Sequence, residues 1–143
     1  MTTNETARDL LKQAHALHDQ RRIDDAIAAA QQALDADPTY IDALTYLGTT
    51  LVTRKLAYPE GLALLERALA LAPDDPGVNY SLGWCYEFVA YRLEKAGRTP
   101  YRDPLDLYRR AAERLQRCID LNPEQGLKDD AQDLLDAVNR RLE

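Results

Sequence analysis

Few side chains in this sequence are of a type that does covalent or acid–base chemistry. There is a single serine, Ser81, and there are two histidines, His15 and His18. A serine or cysteine nucleophile needs a base within hydrogen-bonding reach, and no Ser or Cys here is paired with a histidine in a motif of that kind. His15 and His18 stand one helical turn apart and, with Asp19, offer two imidazoles and a carboxylate to a metal. Surface histidines without a ligand explain the same spacing, because a metal site normally gathers ligands from more than one element. Neither a glycine-rich phosphate loop nor an H-E-x-x-H pattern is present. Cys85 and Cys118 read as small buried free thiols. No catalytic, cofactor or metal residues are therefore expected, and the chain reads as a non-enzyme.

Composition narrows the remaining classes. Charged residues make up 29% and hydrophobic ones 45%, which suits a folded chain and not a disordered one. The apolar runs are too short to span a bilayer, so no membrane partner is expected. The opening "MTTNETARDLL" lacks the basic-then-apolar pattern of an export signal, which with the two cysteines points to the cytoplasm. A net charge of −6 speaks against general binding to nucleic acid. The charge is uneven, however. Residues 92–117 hold 8 basic against 4 acidic side chains, a local net of +4.

The elements that would position any functional residue come from a repeat. Three similar endings, "AIAAAQQALDADP", "GLALLERALALAP" and "AAERLQRCIDLNP", finish at Pro38, Pro73 and Pro123. Each has apolar or small residues at helical spacing and a proline to end the helix. Before each lies a second helical segment. The third opens Asn79-x-x-Leu82-Gly83-x-x-Tyr86, the second Leu44-x-x-Leu47-Gly48-x-x-Leu51, and the first Leu10-x-x-Gln13-Ala14-x-x-Leu17. Ala26, Gly61 and Ala111 fill the small position of the second helices, and Ala33, Ala68 and Cys118 a later one.

This pattern resembles the tetratricopeptide repeat, a helix–turn–helix of roughly 34 residues written W-x₂-L-G-x₂-Y…A-x₃-F…P. The resemblance covers about residues 5 to 123. No repeat has the opening tryptophan, and Ala30, Leu65 and Leu115 stand in the phenylalanine slot. The resemblance implies an all-α fold, a right-handed α–α superhelix with seven helices. Its repeats are expected at about 5–38, 39–73 and 74–123, with a capping helix at about 126–142, in one domain over 1–143. The cap has an apolar stripe of Leu127, Ala131, Leu134, Leu135, Val138 and Leu142, and a solenoid needs such a polar-backed helix at its open end.

The third repeat departs from the family period. Pro38 and Pro73 are 35 residues apart, but Pro73 and Pro123 are 50 apart. The extra residues lie between its two helices. The first should run on to Gly97, and the second can start early, with Asp103 as N-cap and Pro104 at the first helical position. Leu93 and Ala96 are expected to continue the core-facing stripe, so that the prolonged helices hold only each other and the pair projects beyond the stack. Half of the ten aromatic residues fall in this first helix. At about 100° per residue, Tyr80, Trp84, Phe88 and Tyr91 share one face, while Leu82, Tyr86, Val89 and Leu93 share the opposite one.

In tetratricopeptide repeats the first helices line a concave surface. The resemblance thus implies a partner-binding groove of Leu11, His15, His18, Thr45, Thr49, Val52, Tyr80, Trp84, Phe88 and Tyr91. A basic hairpin of Arg92, Lys95, Arg98, Tyr101 and Arg102 forms a second surface. Arg110, Arg114 and Arg117 read as a solvated outer face. One family subset grips acidic chaperone tails with a lysine- and asparagine-built clamp; the corresponding positions here are Leu11, His15, Tyr46, Gly77 and Ser81, so that clamp is missing. The expected function is an adaptor or scaffold holding a peptide or helix of another protein, apolar, aromatic-bearing or with an acidic patch. The alternatives are a self-associating homo-oligomeric scaffold, or nucleic-acid contact through the basic hairpin.

Overall fold

The computed structural model describes residues 3–97 and 101–143. Among them are seven helices and no strand. They form two compact units, one ending at Leu71 and the other running from Ala72 to Glu143.

The first unit contains α1 (Thr3–Asp19), α2 (Ile23–Ala36), α3 (Ile41–Lys55) and α4 (Tyr58–Leu71). Its helices pair closely because small residues stand where they meet. Ala14, Ala26, Ala30 and Ala33 are fully buried in the first hairpin. In the second, Gly48 and Gly61 face each other so tightly that a methyl group on Gly61 would come within 2.7 Å of the Gly48 carbonyl oxygen. Each hairpin turns through a non-glycine residue in the left-handed region, Arg21 at φ 62° and Leu56 at φ 55°. The backbone N–H of Arg22 then reaches the Leu17 carbonyl, and that of Ala57 the Leu51 carbonyl, closing the ends of α1 and α3.

The second unit contains α5 (Pro76–Ala96), α6 (Pro104–Asp120) and α7 (Gln125–Leu142). All three start with a carboxylate cap. Asp75 accepts from the N–H groups of Gly77 and Val78, Asp103 from Leu105, and Glu124 from Gly126 and Leu127. Proline occupies the first position of α5 and α6, as expected for Pro104. At 21 residues α5 is the longest helix described, and it stops at Gly97, whose φ of 84° closes the last turn. Leu82, Tyr86, Val89 and Leu93 are buried against the rest of the unit, together with Leu107, Tyr108, Leu115 and Val138. Cys85 and Cys118 are both buried thiols outside any disulfide, and burial raises the pKa of Cys118, which keeps its thiol protonated.

Two expectations about the extension need correction. Ala96 is exposed and does not continue the core stripe, because the buried side chains of α6 begin only at Leu107. Nor is the extension held by its own pair alone. Arg141, near the end of α7, donates to Glu94 at 2.8 Å and lies 5.2 Å over the ring of Tyr91. The last turns of α5 are thus braced by the final helix.

Candidate partner-binding surface

In the first unit the expected groove residues divide sharply by exposure. Leu11 is 5% exposed and Val52 is fully buried, so neither lines an open surface. Both belong to the core instead: Leu11 joins the α1–α2 cluster, and Val52 sits directly beneath Gly61. Thr45 and Thr49 are half-buried. The Thr45 hydroxyl donates to the Ile41 carbonyl and that of Thr53 to the Thr49 carbonyl, one turn back along α3. Donors spent on their own helix are not offered to a partner.

The histidines of α1 are gathered around Tyr46 of α3. Nδ1 of the half-buried His18 lies 2.8 Å from the Tyr46 hydroxyl. The exposed His15 meets the same ring edge-on, with centroids 5.0 Å apart. Burial raises the Tyr46 pKa, so its hydroxyl remains a donor through the physiological range. The pair is therefore organised by an aromatic ring, and among the described residues no group of three potential metal ligands occurs.

In the second unit, α5 carries two faces. Opposite the buried Leu82, Tyr86, Val89 and Leu93 stand Tyr80, Trp84 and Phe88, all half-buried, and Tyr91, which is 38% exposed. Trp84 and Phe88 lean against each other with centroids 6.3 Å apart and planes tilted by 54°. The core demand of the helix is met on one side, and the aromatic face is left partly open on the other.

The basic residues lie along the far end of this face. Arg92 is 5.1 Å over Phe88 and Lys95 is 5.3 Å over Tyr91. Arg102 is half-buried and lies 5.5 Å over Tyr86, so it is a packed residue more than a projecting charge. Tyr101 is half-buried. Arg98 falls outside the described residues. On α6, Arg114 departs from the expected solvated face: it is half-buried and donates to Asn79 at 3.0 Å. Asn79, fully buried, in turn donates to the carbonyls of Pro73 and Asp75. Arg117 reaches Asp74 at 2.7 Å, and Arg110 pairs with Asp106.

Two residues of the aromatic face were not singled out from the sequence. Glu87 lies on the same arc, roughly 20° from Tyr80 on a helical wheel. It could have been found by spacing, had an acid been sought among aromatics. Arg141 could not, because its place beside Tyr91 depends on how α7 packs.

This helix-pair geometry is shared with known proteins. The family model for the tetratricopeptide repeat matches residues 11–76. Solved structures of similar fold cover nearly the whole chain. The first tetratricopeptide repeat domain of Spaghetti (RPAP3), bound to an HSP90 peptide, superposes with a TM-score of 0.74 at 18% identity, over 97% of this chain and 94% of that one. The fold is that of the tetratricopeptide repeat. The type III secretion chaperone SycD of Yersinia enterocolitica, in complex with a peptide of the translocator YopD, is similarly close. It gives a TM-score of 0.72 at 15% identity, over 97% of this chain and 96% of that one. The N-terminal domain of stress-induced protein-1 from C. elegans follows at 0.60 and 14% identity, over 94% and 98% of the two chains. No curated protein sequence matches this repeat protein. The family match ends at Pro76, so the long α5–α6 pair and its aromatic face lie beyond it.

Proposed function

We propose that this repeat protein is an interaction module that holds a peptide or helix of another protein, gripping it through the aromatic face of α5. The observation that carries the proposal is the division of that helix. Leu82, Tyr86, Val89 and Leu93 satisfy the core, yet Tyr80, Trp84, Phe88 and Tyr91 stay partly open on the other side. Aromatic side chains bury much area for few lost torsions and dominate the energetics of protein interfaces. Two of the similar solved structures carry bound peptides of other proteins, which supports the same class of role here. An acidic chaperone tail is not the favoured ligand, because the clamp positions hold Leu11, His15, Tyr46, Gly77 and Ser81. Buried thiols outside any disulfide fit a cytoplasmic setting, and among the described residues no helix is long and apolar enough to cross a membrane.

The sole tryptophan makes the test direct. Partner binding should shift Trp84 emission to the blue, and Trp84→Ala should weaken binding by about 2 kcal/mol or more if the residue is an interface hot spot. A bound partner that leaves the emission unchanged, with Trp84→Ala binding as wild type does, would remove α5 from the interface. Sedimentation at two concentrations tests self-association, and nuclease treatment tests nucleic acid.

A further inference from the structure

The aromatic face of α5 differs from one end to the other. At the hairpin end its rings are already supplied with cations: Arg92 lies over Phe88, and Lys95 and Arg141 both lie over Tyr91. At the other end, no cation lies over Trp84 or Tyr80 among the described residues. Indole is the best of the protein cation–π acceptors, so the ring best suited to a cation is the one left without it.

Glu87 stands one turn from Trp84 on the same face. It is half-buried and makes no hydrogen bond or ion pair with any described residue. Other acids of this unit are paired, Glu94 with Arg141 and Asp106 with Arg110. A carboxylate kept for solubility would sit fully exposed, as Asp129 and Asp133 of α7 do. Burial instead raises the pKa of Glu87, opposed only by the charge of Arg141. The polar wall behind the face is also incomplete. The hydroxyl of Tyr108, fully buried, has no hydrogen-bond partner, and the charges acting on it are those of Glu94, Arg141, Glu87 and Tyr91. Nearby, Asp130 of α7 acts on Tyr80, so the cation-poor end of the face is also its acidic end.

We infer that Trp84 and Glu87 together receive a basic side chain, so that the segment bound on α5 carries a lysine or arginine flanked by apolar residues. This rests on the interface proposed above and adds the chemistry of its partner. The aliphatic stem of the incoming residue would lie against the indole, and its cation would meet both the ring face and the carboxylate. Acidic residues of the same segment would fall toward Lys95, about two helical turns along.

Random short peptides displayed on phage and selected against the intact wild-type chain, Glu87→Gln and Glu87→Lys provide the test. Wild type should enrich lysine or arginine beside apolar residues, and Glu87→Lys should enrich aspartate or glutamate instead. A synthetic peptide from the wild-type selection should bind Glu87→Gln about tenfold to a hundredfold more weakly, the usual range for losing a charged hydrogen bond. Circular dichroism should show the variants equally helical. Selected peptides that shift Trp84 emission but show no basic enrichment, or bind Glu87→Gln as tightly, overturn this inference and leave the interface standing. If no selected peptide shifts Trp84 emission, both fall.

Discussion

In α3 and α4 two glycines meet backbone to backbone, whereas α5 and α6 meet through Gly83 and the side chain of Leu115. A methyl group on Gly61 would stand 2.6 Å from Val52 Cγ2 and 2.7 Å from the Gly48 carbonyl; one on Gly83 would meet first the Leu115 side chain, at 2.9 Å. The position opening each pair differs in the same sense. Leu44 is a fully buried apolar residue, while its counterpart Asn79 is a fully buried amide bonded to two carbonyls and to Arg114. The first unit closes its hairpins by apolar fit at family length. The second uses hydrogen bonds, carboxylate caps and a braced extension, and one face of its longest helix stays partly open.

The largest expected effect comes from exchanging the opening residues. Leu44→Asn should cost about 4 kcal/mol, because it opens a cavity and buries an amide with no partner prepared for it. Asn79→Leu should cost only about 1 to 2 kcal/mol, since Arg114 is half-buried and can turn to water while the carbonyls lose a donor. Chemical denaturation of the two variants checks the order. Equal losses would mean that the amide network is as tightly required as the apolar fit.

The glycine contacts give a smaller contrast. Gly61→Ala gains about 1 kcal/mol of helix propensity but must move backbone, and overpacking of that kind costs about 1 to 3 kcal/mol. Its net effect should be destabilising. Gly83→Ala pushes first on the branch carbon of the buried Leu115 and leaves the nearest backbone atom, the Ala111 carbonyl oxygen, 3.3 Å away, so it should cost less than Gly61→Ala. Melting curves that place Gly83→Ala below Gly61→Ala would reverse this ranking.

The smallest effect concerns Glu87, and its sign follows from its raised pKa. A carboxyl whose folded pKa exceeds its unfolded value binds its proton more tightly when folded, so it destabilises the fold as pH rises above the ordinary carboxylate range. Glu87→Gln should therefore melt slightly higher than wild type at neutral pH, and the gap should close as the pH falls to about 4. A gap that is constant with pH would mean that Glu87 is not desolvated. With the binding test above, this separates the two roles: the variant should be more stable and bind less well.

Much of the fold was legible in the sequence. Prolines at 38, 73 and 123, small residues at the helix crossings and a 50-residue last spacing located the three pairs, the long α5 and its stop at Gly97. These are local signals, because proline, glycine and caps act through backbone geometry within a few residues. The two faces of α5 were legible too, since helical periodicity alone separates Trp84 from Tyr86.

What periodicity leaves open is which face another element covers. Leu11 and Val52 share an arc with residues that remain open, yet tertiary packing buries both, and Thr45 turns its hydroxyl back to its own helix. The brace of Arg141 on Tyr91 and Glu94 joins residues about fifty positions apart, and no local pattern specifies such a contact. The sequence by itself determined where helices begin, end and present apolar stripes, because those depend on near neighbours. Only the tertiary structure decided which stripe is satisfied, and so left Trp84 and Glu87 half-open, because burial depends on what the rest of the chain brings alongside.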